Sequence, residues 1–241
     1  MSRWWGERGW LLVDGEGVQL RPAGASQATR VRGSLGEALD GLVELGGGGL
    51  PGRGSGCNVV LGDELVRHLV VRWPDGLRGR VERQAFVSHR LRETHGVSAP
   101  DWRIVVEGVV TDMPAIACAA PVSLLEQVFA FGGRNGWRID SVRSEYIAAF
   151  NQFRRRLGDR QGAFSLASSR AWTVGTWRDG EWHSLRTRVG IEQGEAGQAV
   201  LAMFGAAVVD SGSGVLYGVG AGACPVPDGW SVRMLGSAPW Q

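Results

Sequence analysis

Three short stretches of the chain hold the residue types that could handle a phosphate. Asp14-Gly15 lies in Asp14-Gly15-Glu16-Gly17, between the apolar run 10–13 and the run 18–21. This reads as a hairpin turn, because Asp-Gly readily takes positive φ angles. A carboxylate there could hold Mg²⁺ and its waters, and the glycine would let backbone N–H groups approach a phosphate. The same dipeptide closes a turn without any ligand. A second hairpin, at Leu166-Ala167-Ser168-Ser169, brings no carboxylate. With that metal ligand missing, magnesium-dependent hydrolysis is not expected, while weak nucleotide binding stays open. The third stretch is Tyr217-Gly218-Val219-Gly220-Ala221-Gly222-Ala223. Gly218, Gly220 and Gly222 permit close backbone approach, and both a vestigial nucleotide loop and a structural turn fit. Its likeness to a dinucleotide fingerprint fails on context, since Pro225 and Pro227 stand where a helix should follow.

Other chemistries lack their residues. All 26 basic residues are arginine, which removes a P-loop lysine, a Schiff base and a catalytic Lys–Glu pair. Cys57, Cys118 and Cys224 are far apart, form no CxxC, and read as small packed hydrophobes of a reducing compartment. His68, His89, His95 and His183 have no metal-ligand spacing, and no GxSxG elbow occurs. No metal or cofactor is therefore expected beyond a degenerate ATP site. The net charge of +2 does not suggest nucleic acid. Arg154-Arg155-Arg156 with Arg160 forms a basic run at a helix C-terminus, where the helix dipole favours cations; an acidic partner or anionic lipid is the alternative. No apolar run approaches the ~20 residues of a membrane span.

The elements that must position these stretches follow a repeated order. Strands at 10–13, 18–21 and 27–32 lead to a helix over 35–45, with Ser34 and Glu37 as a capping box, and then to a buried strand at 57–61. Strands at 163–167, 171–177 and 181–188 lead to a helical pattern over 193–208 and a strand at 214–219. Both units read β-β-β-α-β. Between them lie a strand at 66–73, an arginine-rich helix at 77–95, strands at 102–107 and 114–119, a helix from Pro121 to about 131, a strand at 137–142 and a helix at 144–157. Eleven tryptophans are unusual. Trp172 and Trp177 fall on opposite faces of one strand, so one of them should cover an interface or reach solvent. Trp4, Trp5 and Trp240 are expected to tack down the ends.

A hairpin-led meander, a helix and a strand, twice over, predict an α/β chain of duplicated ribonuclease-H-like (actin-like) fold. It would have a first lobe at 1–158 with an inserted α/β subdomain at about 66–135, and a second lobe at 159–241. In this order of elements the chain resembles the actin-like cytoplasmic assembly proteins of type IV pilus and type II secretion systems (the PilM, GspL and MshI group). Leu65–Pro74 with the arginine-rich helix after it looks like the start of that family's insert. Phe164-Ser165-Leu166-Ala167 through Arg178-Asp179-Gly180 is similar to its second phosphate hairpin with the acidic residue gone, and Tyr217–Ala223 looks like its adenosine loop. The resemblance implies a non-catalytic cytoplasmic scaffold at the inner-membrane face, bound to a short cytoplasmic peptide of a membrane-anchored PilN-like or GspL/GspM-like partner. Arg67, His68 and Trp73 are its candidate partner-binding residues, and a homodimer is compatible with it. The alternative function is an active actin-like ATPase or small-molecule kinase.

Overall fold

Apolar residues on both faces of a strand mark one that is covered on both sides, and two strands of the first unit, at 10–13 and 57–61, carry that pattern. In the computed structural model, which describes residues 8–45, 52–77, 79–98, 100–106, 113–158, 160–190, 198, 201–203, 213–220 and 226–240, β1 (Gly9–Asp14) and β2 (Gly17–Arg21) form an antiparallel hairpin. β3 (Thr29–Arg32) pairs antiparallel with β2. The helix α1 (Leu35–Leu45) then crosses to β4 (Gly56–Leu61), which runs parallel to β1. One half of the expected capping box forms: Glu37 Oε2 accepts the Ser34 N–H at 3.0 Å, while the Ser34 hydroxyl donates to the same oxygen at 2.6 Å instead of accepting a backbone N–H. After the insert, α3 (Val122–Arg134) leads to β8 (Arg138–Ser144), parallel to β4. The sheet order is β3-β2-β1-β4-β8.

The second unit repeats this order. β9 (Gln161–Ala167), β10 (Ala171–Arg178) and β11 (Glu181–Val189) form the meander; β12 (Gly214–Val219) lies parallel to β9 and β13 (Trp230–Gly236) parallel to β12. The sheet order is β11-β10-β9-β12-β13, the first sheet's order in every position. The duplication predicted from sequence is present. Of the helix expected over 193–208, the described residues 198 and 201–203 are helical, and Met203 packs on Trp172, Val174 and Leu216; the remainder lies outside the described residues. β13 was not anticipated, although Trp230, Val232 and Met234 alternate with Ser231 and Arg233.

The insert is a three-stranded antiparallel sheet, β5 (Arg67–Val71), β6 (Trp102–Val106) and β7 (Ala115–Pro121), in the order β5-β7-β6, with α2 (Arg80–His95) packed on it. Its expected limit near residue 135 needs correction. Val128 and Phe131 of α3 pack with Leu11, Val13 and Val59 of the first sheet, so α3 belongs to the first lobe and the insert's sheet ends at Pro121.

The two lobes meet on α4 (Glu145–Phe153), capped by Ser144, whose Oγ accepts from Ile147 N–H at 3.3 Å. α4 packs in one core with Trp10, Leu12 and Val60 of the first lobe and with Phe164, Leu166, Leu185 and Tyr217 of the second. Tyr146, Ala148 and Ala149 are fully buried there. Of the two tryptophans on opposite faces of β10, Trp172 closes the second lobe's outer core and Trp177 joins the aromatic group with Phe150, Trp182 and Tyr217 over α4. Trp240 enters the same core at 1% exposure, while Trp4 and Trp5 lie outside the described residues. The arginine run is a 3₁₀ turn closing α4: Arg156 lies over the Phe153 ring and donates to Leu235 O at 3.1 Å. That is a structural role beside the one the helix dipole gives it.

Candidate functional site

The hairpin between β1 and β2 closes around its own charges. Asp14 is nearly buried, with 5% of its side chain exposed, and its carboxylate accepts twice from Arg30 Nη2, at 2.8 and 3.1 Å, and once from Glu16 N–H at 2.9 Å. Arg30 reaches it from β3 because the register sets Arg30 against Gln19 and Val31 against Val18. A carboxylate already satisfied by a guanidinium and a backbone N–H has little left to offer a metal. The expected positive φ angles are absent at Asp14 and Gly15, and occur at Asp179 (53°) and Gly180 (82°) in the β10–β11 turn. In the first hairpin the position that requires glycine is Gly17, at φ 148°, where a Cβ would collide with the Val31 carbonyl.

Glu64 is a residue that the sequence reading did not single out. It follows β4, next to the end of β1, and its Oε1 accepts the Gly15 N–H at 2.7 Å. This is the backbone donor that was expected to face a phosphate. The second hairpin completes the corner. Ser168 spends its hydroxyl and N–H closing its own turn against Ala171, at 2.9 to 3.1 Å. Arg170 then reaches across to the first lobe, with Nη1 3.9 Å from Glu16 Oε1. The structure thus brings Asp14, Gly15, Glu64 and Arg170 together.

Gly218 and Gly220 stand at the neighbouring end of the second sheet. A Cβ on Gly218 would press on Met234 Sδ at 2.6 Å, and Gly220, at φ 94°, donates its N–H to Gly236 O at 3.1 Å. Packing and a turn account for both glycines. Gly222 lies outside the described residues, as does Cys224.

Deeper between the lobes lies a buried polar group that includes Asp63, His68, Ser144, Glu145 and Thr173. Asp63 Oδ1 accepts from Tyr146 N–H at 3.1 Å at the start of α4, and its carboxyl is also hydrogen-bonded to Thr173 and Ser144. Burial outweighs these bonds and pushes Asp63 up to about 7. Glu145 is raised well above the usual carboxylate range, first by burial and then by the nearby Asp63. Its Oε1 accepts the Trp240 indole N–H at 3.0 Å. Among the described residues no cluster of His, Cys, Asp and Glu fits a metal. Burial also pushes the Cys57 and Cys118 thiols up to about 12, too high for nucleophiles.

The candidate partner residues separate. His68 is buried, with Nε2 2.8 Å from Ser144 Oγ and its pKa pushed down to about 4 by burial, so it presents nothing to a partner. Arg67 donates to the Glu64 and Val66 carbonyls and lies over the Trp102 ring. Trp73 alone of the three borders a groove, of about 460 Å³, with Leu69, Val71, Pro74, Phe86 and Arg90. Arg72 separates it from a second hollow of about 280 Å³ lined by Arg178, Asp179, Glu181, Trp182 and His183, and its Nη2 lies 3.0 Å from His183 Nδ1.

No family model matches the chain, and no curated protein matches its sequence. Solved structures do match its fold. The cytoplasmic domain of EpsL, an inner-membrane component of the type II secretion system of Vibrio cholerae, superposes with a TM-score of 0.58 at 13% identity, covering 96% of this chain and 88% of that one. A Bacteroides thetaiotaomicron protein of actin-like ATPase fold and unknown function gives 0.58 at 9% identity, over 92% and 86%. The PilM-PilN type IV pilus biogenesis complex gives 0.54 at 10% identity, over 88% and 81%. With two sheets of one strand order, a helix shared between them and these likenesses along nearly its whole length, the chain has the actin-like ATPase fold.

Proposed function

We propose that the chain is a non-catalytic scaffold of a type IV pilus or type II secretion assembly platform, which works at the cytoplasmic face of the inner membrane by binding a short peptide of a membrane-anchored partner. The observation that carries this reading is the state of the hairpin corner. Asp14 is neutralised by Arg30, the second hairpin offers a serine and an arginine in place of a carboxylate, and the Gly15 N–H is taken by Glu64. Hydrolysis of a nucleotide needs a metal held against its phosphates and a positioned water, and these residues are committed to one another instead. The likeness to EpsL and to the PilM-PilN complex supports an assembly role. No helix among the described residues is long and apolar enough to cross a membrane, so membrane contact through a partner fits.

The groove beside β5 is the docking place we assign. β5 is the strand of the insert sheet that faces β11, Trp73 and Phe86 supply aromatic walls, and Arg72, Arg90 and Arg178 line the two hollows together with Asp179 and Glu181. Such a site suits an extended peptide with apolar side chains. The test is titration calorimetry of the chain with synthetic cytoplasmic segments of PilN-like and GspM-like proteins, together with Trp73→Ala. Binding of one segment, weakened at least tenfold in the variant, is expected. Tight binding of Mg-ATP that is lost in Asp14→Ala would instead establish the ATPase alternative.

A further inference from the structure

Two charged groups from different lobes converge on the backbone of Gly15. Glu64 Oε1 accepts its N–H at 2.7 Å, a length characteristic of a charge-assisted bond. Arg170 covers the same residue: a Cβ built on Gly15 would stand 3.3 Å from Arg170 Nε and 3.4 Å from Glu64 Oε1. The Glu64 side chain folds back over its own strand end to get there, since a Cβ on Gly62 would meet its carboxylate at 2.7 Å. Gly62 is itself anchored, with its N–H on Val13 O at 2.7 Å. The other carboxylate oxygen, Oε2, is buried and meets no hydrogen-bond donor among the described residues. A backbone N–H at a turn with a guanidinium beside it is the donor set of an oxyanion site. Here the occupant is a side chain of the same molecule, and it fits the site with only one of its two oxygens.

We propose that Glu64 is a built-in anion that takes the Gly15 N–H of an oxyanion seat between the hairpins, a seat that the Arg170 guanidinium, which covers Gly15 but is paired with Glu16, would complete for an external anion. The Gly15 N–H is satisfied without any external phosphate, and the Arg170–Glu16 pair joins the two hairpins with no ligand between them. An external anion must displace a carboxylate tethered three residues from the end of β4, which competes at high effective concentration. The intact chain is therefore nearly blind to small phosphates. Removal of the carboxylate leaves the two donors in place and opens the seat to a phosphate-type oxyanion. This holds whichever partner the scaffold binds.

The experiment is calorimetric titration of inorganic pyrophosphate at low salt into the wild type, Glu64→Ala, Glu64→Ala/Arg170→Ala and Glu126→Ala. Glu126 is exposed on α3 and gives the same change of net charge away from the seat. Glu64→Ala should bind at least tenfold more tightly than wild type, the double variant should lose that gain, and Glu126→Ala should behave as wild type. Equal affinity of wild type and Glu64→Ala would overturn the proposal, as would a gain that survives loss of Arg170 or appears in Glu126→Ala. Glu64→Gln keeps the side-chain shape without its charge, so it serves if the alanine variant does not fold. It too should gain affinity, by a smaller factor, and no gain in a folded glutamine variant would count against the proposal.

Discussion

Trp240→Ala should remove about 4 kcal/mol of stability, and the reasoning can be followed atom by atom. The indole is 1% exposed and lies in the core that also contains Trp10, Leu12 and Tyr146. A buried tryptophan removes about 200 Å² from water, which at about 25 cal/mol per Å² amounts to about 5 kcal/mol, an upper figure because unfolded chains are not fully extended. Alanine replacements of buried aromatic residues cost about 3–5 kcal/mol. Loss of the indole N–H also leaves Glu145 Oε1 without its donor at 3.0 Å, which adds about 1 kcal/mol or more. Partial collapse of the surrounding side chains offsets some of this. Trp240→Phe separates the two contributions, since it keeps a ring and loses the N–H; about 1–2 kcal/mol is expected. The assay is equilibrium urea unfolding followed by far-ultraviolet circular dichroism, because the other ten tryptophans would confuse fluorescence. A loss under 1 kcal/mol for Trp240→Ala would refute the claim that this residue is a structural part of the lobe interface.

Two further predictions concern the same interface. Asp63 holds its proton up to about 7 in the folded chain and only to about 3.9 when unfolded, so its contribution is fully present at low pH and is lost as pH rises from about 4 to about 7. His68, held down to about 4, works in the opposite sense and loses stability as pH falls from about 6.5 to about 4. Asp63→Asn keeps an acceptor for Tyr146 N–H and cannot ionise, so its melting temperature should exceed that of wild type at pH 8, with the gap closing toward pH 5; an equal gap at both values would argue against a buried ionisable Asp63. Gly175→Ala should destabilise by about 2 kcal/mol or more, because the new Cβ would collide with the Tyr146 hydroxyl and the Trp182 ring, neither of which can turn aside in that core. An unchanged urea midpoint would show that the aromatic group yields.

The duplicated order was legible because it rests on local signals. Asp179-Gly180 is a turn in any context, the capping box at Ser34 and Glu37 acts within one helical turn, and the apolar run CNVVL announces a buried strand. The site was less legible because its key contacts are long-range. Glu64 meets Gly15 across 49 residues, and nothing in the chain near either one announces the pairing. The signal available was an acidic dipeptide, Asp63-Glu64, placed directly after an apolar strand, where carboxylates are out of place unless something receives them. His68 misled for the opposite reason. It sits in a strand of mixed pattern, where exposure and burial read alike, and its side chain turned out to serve Ser144. β13 alternates as an edge strand should, yet Val232 and Met234 face outward, which blurs the usual contrast between the two faces.

The placement of α4 has a mechanical consequence. Its residues share one core with Trp10 and Leu12 of the first lobe and with Phe164 and Tyr217 of the second. Opening the lobes like a clam would expose the apolar surface buried around the helix, which costs free energy in proportion to that area. Load applied at the insert therefore reaches the second sheet as displacement of a stiff strut, through α4 and through the Arg72–His183 contact beside it. Such a part transmits position without spending energy on its own flexing.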